Sequence, residues 1–572
     1  MSILDWIVLI GTLFAIVAYG TWKTRGIQNI DGYLKGSNTM KWGTIGLSIM
    51  ATQASAITFL STPGQAYESG MIFVQNYFAV PLALIIVSAV FLPIYYKLKV
   101  FTAYEFLEQR FDYKSRALAA LIFLVQRGLA AGITIYAPAI ILSKALGFDL
   151  NTMVLMVGIV VIIYTVSGGT RAVNLTQKYQ MIVIFLGMFL AFFILVYNLP
   201  DFLSVGDALN VAGKMGKLET VDFSFDLEKR YTIWSGIFGA IFLSLSYFGA
   251  DQSQVQRYLG GKNITEIRTG LMFNALLKIP MQFFILLLGV FVFVFYQFER
   301  PPVFFNHNEL EQLKISVGEE SVNAIDDEYG KIHLLKQDKI KELVVTMEEA
   351  GEDQGMVDHK VEELMALEDQ SKALRVEVKE MMLKNNPDAT TKDYDYVFIT
   401  FIMTYLPKGV IGLLIAVILS AAMSSVSSEL NALGSTTVID FYKRSFKKDG
   451  DEKHYVLASR LFTTLWGVVA IIFAFTASLV ENLIEFVNIV GSLFYGTVLG
   501  IFLVAFFIKF VRGNALFIAA LISQATVIIL HYLTTVDIIK LGYLWYNMIG
   551  CLLLILLSVL LQSLMTNKEQ RV

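Results

Sequence analysis

The sequence predicts an all-α membrane protein with about 13 transmembrane helices and one external helical insertion. Three observations lead there. Of 572 residues, 56% are hydrophobic and 16% charged, and the mean hydropathy is +0.61, more apolar surface than a soluble domain carries. Apolar windows of about 20 residues, the length that crosses a hydrocarbon core, recur along the chain. Basic residues cluster after alternate windows, as topology requires.

The windows lie near 2–22, 43–62, 71–96, 117–145, 151–168, 178–199, 231–251, 268–297, 408–438, 455–479, 483–510, 513–535 and 541–565. The first lacks a basic leader and a clear small-residue cleavage site, so it reads as a span rather than a removed signal. The second carries Thr52, Gln53, Ser55 and Thr58 at its middle, with few strong helix formers, and reads as a broken helix. Discontinuous helices expose backbone carbonyls to ions near the midplane of many secondary transporters.

Lys23, Arg25, Lys35 and Lys41 follow the first window, and Lys97, Lys99, Arg110, Lys114 and Arg116 the third. Arg171 and Lys178 follow the fifth, Arg257, Lys262 and Arg268 the seventh, and Lys443, Arg444, Lys447 and Lys448 the ninth. These belong inside if the amino terminus is outside, and the tail NKEQRV is then cytoplasmic. The expected location is a cell membrane, taken as a bacterial inner membrane. The net charge of −3 carries no message, because the two faces differ. The single cysteine, Cys551, lies in an apolar run, which excludes an intrachain disulfide and argues against a catalytic thiol.

Between about Glu299 and Asp395 the chain turns polar, with roughly twice as many acids as bases. This divides it into transmembrane residues 1–298, an extracytoplasmic insertion 299–395 and a transmembrane remainder 396–572. Glu328–Glu349 and Val357–Lys384 have helical spacing, and AGEDQG between them reads as a turn. A helical hairpin is expected, either a cap over the outer vestibule or a solvated addition without a transport role.

The ninth window holds Ser420, Ser424, Ser425, Ser427 and Ser428. Lipid offers a hydroxyl no partner, so this cluster faces protein, water or an ion. Neutral oxygens in a dry pocket suit Na⁺, while small residues also let helices pack closely. An ion held between carbonyls of the second window and hydroxyls of the ninth makes a coherent site.

Several segments, in order, resemble the sodium:solute symporter family of sodium–glucose, sodium–iodide, monocarboxylate, multivitamin and bacterial sialic acid transporters. They are SAITFLSTPGQAY (55–67), FLPIYYKLKVFTAYEFLEQRFDYKSR (91–116), TIYAPAIIL (134–142), SGGTRAVNLTQKYQ (167–180), DQSQVQRYL (251–259), SSVSSELNAL (424–433) and VNIVGSLFYG (487–496). The resemblance covers about 1–298 and 396–510. It implies a LeuT-type bundle, with inverted five-helix repeats over roughly 43–199 and 231–510 and flanking helices at each end. It implies sodium-coupled import of a small polar organic solute by alternating access, with Na⁺ as the coupling ion. The solute would be a carboxylate, such as sialic acid or a monocarboxylate, or a sugar.

Carried over by position, the family's sodium site falls on the carbonyls of Ala51, Ala54 and Ala421 and the hydroxyls of Ser424 and Ser425. A second cation site used by some members falls on Gln177, Ser427 and Ser428, with Gln177 replacing the family's aspartate. Glu429 could supply the missing carboxylate or could face the cytoplasm near a helix end. One sodium per cycle is expected.

Ser55, Thr58, Phe73 and Tyr77 fall on solute-contacting positions. The serine and threonine hold a carboxylate in sialic acid transporters. The arginine of those relatives falls on Ala130, and Arg127 stands one turn earlier, either reaching the solute or serving structure. Lys278 matches a lysine of the sugar branch, and Tyr247 and Asn488 complete the candidates. Asp251 either belongs near them or pairs with Arg257 at the cytoplasmic edge.

The partners implied are solute, sodium and lipid, with no nucleic acid, and a monomer is compatible. An enzyme would need a metal or nucleophile cluster, and three of the five histidines (His307, His333, His359) lie in the insertion without close ligand spacing. A proton-coupled carrier and a transporter-like sensor are the alternative classes.

Overall fold

The computed structural model describes residues 1–23, 30–35, 38–349, 354–387, 389, 391, 393–476 and 483–569. Arg25, most of the AGEDQG turn, the end of the window 455–479 and residues 570–572 of the tail lie outside the described residues. So do the side chains of Lys23, Lys35 and Arg171. Every regular element described is helical, apart from a single bridge between Met40 and Gly261.

Nine described helices are long and apolar enough to cross a membrane, and Ile3–Tyr19, Leu150–Val166 and Ser235–Gly249 are shorter apolar helices. The second window, 43–62, is the broken one. Its helix Trp42–Gln53 stops, Ala54 and Ser55 leave helical geometry, and a new helix Ala56–Ser69 begins. The sequence there offers Thr, Gln and Ser, whose side chains compete for backbone bonds.

Windows 151–168 and 178–199 form one helical run, Leu150–Tyr197, bent at Gly169 (φ 59°, ψ −172°). A Cβ at Gly169 would stand 2.6 Å from the Tyr33 ring, so the kink requires glycine both for its positive φ and for that close contact.

The serine helix, Val410–Thr436, is central: 83% of its best apolar window is buried, against 28% for Gly513–Thr535 and Leu544–Met565, which turn apolar faces outward. Its first turn is capped by another helix. Asp5, fully buried, accepts from the backbone N–H of Gly409 (2.6 Å) and Gly412 (3.2 Å). A helix start leaves such donors unpaired, and a carboxylate there also complements the helix dipole. Gly412 permits the approach, since a Cβ there would lie 2.1 Å from Asp5 O.

The insertion contains His307–Val317, Glu319–Glu349 and Gln354–Asn385. It has its own small core, with Val322, Ile325 and Tyr329 packed near Leu374, Val378 and Met382. Lys336–Glu368 (2.8 Å), Lys339–Glu363 (2.9 Å) and Lys360–Glu342 (2.7 Å) join its two long helices. Arg375 meets the fully buried Asp393 at 2.5 Å and fastens the insertion to the chain that re-enters the bundle.

The 34-residue helix Tyr113–Leu146 fixes the two ends of the bundle, about 50 Å apart. Near its end Lys144 meets Thr400, just past the insertion. At its start Arg116 pairs with Glu108 (2.8 Å) and Asp440 (2.7 Å), and Arg444 also reaches Glu108 (2.7 Å). The basic segments after the third and ninth windows therefore meet at one end, and the insertion lies at the other.

Candidate functional site

Ending a helix at Gln53 leaves the last carbonyls of Trp42–Gln53 without their usual partners. The serine helix supplies replacements. Ser424 Oγ donates to Ala51 O (3.1 Å), and Ser425 Oγ donates to Thr52 O (3.1 Å) and, at 3.5 Å, to Ala51 O. Both serines and Ala51 are buried. Ala54 sits at the break (φ −84°, ψ 71°), and Ala421 lies on the serine helix one turn before Ser424 and Ser425. The Ser424 and Ser425 hydroxyls and the Ala51 and Thr52 carbonyls are thus neutral oxygens that meet between two helices. A hydroxyl that now donates to a carbonyl can rotate and turn its lone pairs inward, leaving an all-oxygen cage suited to a weakly held monovalent cation.

Gln177 lies beside this cage and is fully buried. Its Nε2 donates to Ser428 Oγ (2.7 Å), Ser424 O (3.1 Å) and Thr52 Oγ1 (3.2 Å). Its Oε1 accepts from Ser48 Oγ, which also donates to Asn174 Oδ1 at 2.9 Å. The amide thus turns a donor toward three oxygens. Ser427 Oγ donates to Ser424 O (3.0 Å). Glu429 is not part of this group. It is buried and faces Arg127 at 3.0 Å, so the serine helix presents it to a central cavity and not to the membrane surface.

That cavity, of about 130 Å³, is bordered by both halves of the broken helix, the serine helix and Leu483–Phe507. It can hold several waters or a small organic solute. Ser55, Thr58, Tyr77, Arg127, Tyr247, Lys278 and Asn488 line it. Phe73 does not; it stands behind, edge-on to Tyr77 (5.7 Å) and Tyr231 (5.0 Å).

Arg127 is held through its two terminal nitrogens. Its guanidinium pairs with Asp251 and Glu429, donates to Tyr495 OH (2.5 Å) and lies 5.5 Å from the centre of the Tyr247 ring. Tyr495 OH in turn donates to Asp251 Oδ2 (2.8 Å). Asp251 also caps Gln252–Leu259 by accepting from Ser253 N (2.8 Å). The expected alternative partner, Arg257, is elsewhere: it donates to Asn174 Oδ1 (2.7 Å) and Gln256 Oε1 (3.1 Å).

Lys278 differs from Arg127. It is 2% exposed, makes no ion pair among the described residues, and its ammonium lies 5.0 Å from the Tyr77 ring centre. Among the described residues, five buried polar atoms around the cavity have no hydrogen-bond partner: the donors Gln53 Nε2 and Arg127 Nε, and the acceptors Asn76 Oδ1, Gln126 Oε1 and Glu429 Oε2. Buried polar groups left unpaired are costly, so the cavity is matched to a ligand that both accepts and donates.

Sequence reasoning missed Tyr495, Asn76 and Gln126. Only the polarity of Asn76 and Gln126 within apolar runs could have marked them. Among the described residues no group of three His, Cys, Asp or Glu side chains could hold a metal ion. Burial holds the insertion's His333 down to about 4, so it is a neutral packed ring at physiological pH.

Comparison with known proteins agrees with this architecture. The sodium:solute symporter family matches residues 33–306 and 378–523, passing over most of the insertion. The human sodium-coupled monocarboxylate transporter 2 is 33% identical over 267 residues, which cover 47% of this chain and 42% of that protein. The match therefore spans less than half of that relative. The sodium/sialic acid symporter NanT of Aliivibrio fischeri is 24% identical over 569 residues, covering 99% of this chain and 94% of that protein. A solved structure of a Na⁺-coupled sialic acid symporter, substrate-bound and outward-open, covers 98% of both chains with a TM-score of 0.74 and 23% identity, and so shares the fold.

Proposed function

The chain belongs to the sodium:solute symporter family, and on that premise we propose that it couples sodium entry to uptake of a small polar organic acid by alternating access. One observation carries this reading: the Ser424 and Ser425 hydroxyls meet the freed carbonyls of Ala51 and Thr52 beside the cavity that Ser55, Thr58 and Lys278 line. Sodium bound among Ala51, Ala54, Ala421, Ser424 and Ser425 would pin the broken helix to the serine helix. Ser55 and Thr58 lie just past the break, so the same event orders the solute pocket. The coupling is reciprocal, since whatever affinity sodium adds for solute, solute adds for sodium. An ion crossing 100 mV supplies about 2.3 kcal/mol.

The solute class follows from charge. Arg127 is already balanced by Asp251 and Glu429. Lys278 and the start of the helix Ala56–Ser69 are left to attract an anion. The unpaired acceptors Asn76, Gln126 and Glu429 call for hydroxyl or N–H groups on the same solute. A hydroxylated or amide-bearing carboxylate meets both demands, whereas a neutral sugar leaves the ammonium uncompensated. Lys278→Gln is expected to raise the KM for such a solute roughly 10- to 100-fold, the loss of a charged hydrogen bond, with a much smaller change in sodium dependence. Uptake assays across both concentrations test this, and an unchanged KM refutes the role.

Gln177 supports a single sodium. Its Nε2 already faces Ser428, Thr52 and the Ser424 carbonyl, where a second cation would need open oxygens. The Hill coefficient for sodium should be near one, and Gln177→Asp should move it toward two. A wild-type value near two overturns the stoichiometry.

The insertion 299–395 lies outside on this reading, between transmembrane parts 1–298 and 396–572, in a bacterial inner membrane. The amino terminus would share its side, because Asp5 caps the serine helix there, and the Arg116–Glu108–Arg444 cluster would be cytoplasmic.

The first experiment is thermal unfolding of purified protein in sodium against choline chloride, with sugars, sialic acid, monocarboxylates and vitamins. A sodium shift enlarged by an acid supports the proposal. No sodium shift with any solute overturns it and favours proton coupling.

A further inference from the structure

A second cavity, of about 60 Å³, lies between the insertion and the bundle, away from the solute pocket. Its floor is the end of the helix Ala56–Ser69, with Tyr67 and Glu68, together with Phe293, Tyr296 and Gln297. Its roof comes from the long insertion helices, and Lys217 closes one side.

The charge here is lopsided. Lys217, Lys336, Lys372, Arg375 and Lys379 line the cavity against two carboxylates, Glu68 and Glu368. Glu368 is engaged by Lys336 at 2.8 Å. Asp393 behind the wall engages Arg375 (2.5 Å) and stands 3.9 Å from Lys379. Lys372 pairs with the exposed Asp369 at 3.6 Å and also acts on Glu368. Lys217 donates to the backbone carbonyls of Tyr67 (2.9 Å) and Glu68 (2.5 Å). Burial pulls its ammonium down to about 8, against the opposing pull of Glu68 and Glu368.

Two further donors await a partner. Ser371 Oγ and Tyr296 OH are 3% and 1% exposed, border the cavity and have no hydrogen-bond partner. A hydroxyl that can donate, set among ammonium and guanidinium groups, is what an anion requires. The volume admits a chloride, a phosphate or a carboxylate group, and is too small for a large solute.

We propose that this cavity is an external binding site for a small anion, and that the bound anion fastens the insertion to the outer half of the broken helix. The helix Ala56–Ser69 has Ser55 and Thr58 at its start and Tyr67 and Glu68 near its end. An anion gripping that end restrains the segment that forms the solute pocket at the other. The insertion becomes an ion-dependent brace.

The test uses purified full-length protein, and the variants of this cavity separate anion binding here from binding of acetate in the solute pocket. Thermal unfolding is followed in the sodium salt of a bulky sulfonate at constant ionic strength, while chloride, phosphate or acetate is titrated in. At least one anion should raise the transition saturably; chloride or phosphate would mark an inorganic ligand, and acetate alone a carboxylate. The double variant Lys217→Gln/Ser371→Ala should raise the half-saturating concentration at least tenfold. Its shift between sodium and choline salts should be retained. If the double variant does not fold, Ser371→Ala and Lys372→Gln are read separately, each expected to weaken anion binding severalfold. No saturable shift with any of the three anions, or an unchanged half-saturation in the folded variants, overturns the proposal.

Discussion

Replacing Ser424 and Ser425 together by alanine is expected to raise the sodium concentration for half-maximal uptake roughly 30- to 700-fold. Two of five neutral oxygens leave the cage, and each lost polar contact to a charged partner costs about 1–2 kcal/mol, with tenfold for every 1.4 kcal/mol. The substitution adds no bulk and keeps helix-favouring residues, so the serine helix should remain intact. The same hydroxyls bond Ala51 and Thr52 directly, and their loss also frees those carbonyls. Sodium activation curves of uptake in proteoliposomes provide the measurement. An activation curve matching wild type would remove these serines from the ion site.

Arg127→Met carries the second large effect. It removes the cation between Asp251 and Glu429 and leaves two buried carboxylates facing each other. Breaking a buried pair by deleting one partner costs about 3–5 kcal/mol, because the remaining charge cannot be resolvated. The variant should unfold at much lower temperature and transport little. Adding Glu429→Gln should restore part of the stability by removing one stranded charge. Circular dichroism melts of the two variants decide it. A single variant as stable as wild type would mean that the triad contributes nothing net, and lack of recovery in the double variant would shift the burden to Asp251 and Tyr495.

The sequence made the helical windows, the polar break and the serine cluster legible because each is local: about twenty apolar residues, four polar ones between 52 and 58, five hydroxyls on one helix. The gap between the windows 151–168 and 178–199 marked the place of the kink, but the close contact that reserves Gly169 for glycine needed the fold, since the Tyr33 ring lies more than a hundred positions away. The Arg127 triad was hidden for the same reason. Its partners lie 124 and 302 positions distant, and nothing near Arg127 announces them. Arg257 is closer in sequence to Asp251 and was the natural local guess for its partner. Packing overruled that, because the carboxylate turns into the cavity while Arg257 turns to Asn174. Lys278 could be picked out by its type, but its lack of a counter-ion needed the fold.

The buried carboxylate of Asp5 sets an order of events during synthesis. Its acceptors are completed by backbone N–H groups of Gly409 and Gly412, the first 404 positions further along the chain. At about 5–20 residues per second the ribosome needs roughly 20–80 s to produce them. Until then the local partner available to this acid is Ser2, which donates through N (2.6 Å) and Oγ (2.8 Å) in the folded structure. The opening segment of the chain is therefore among the last to reach its final seat. It must wait at the membrane edge until the serine helix has emerged, so the seating of these two helices against each other is a late step in biogenesis.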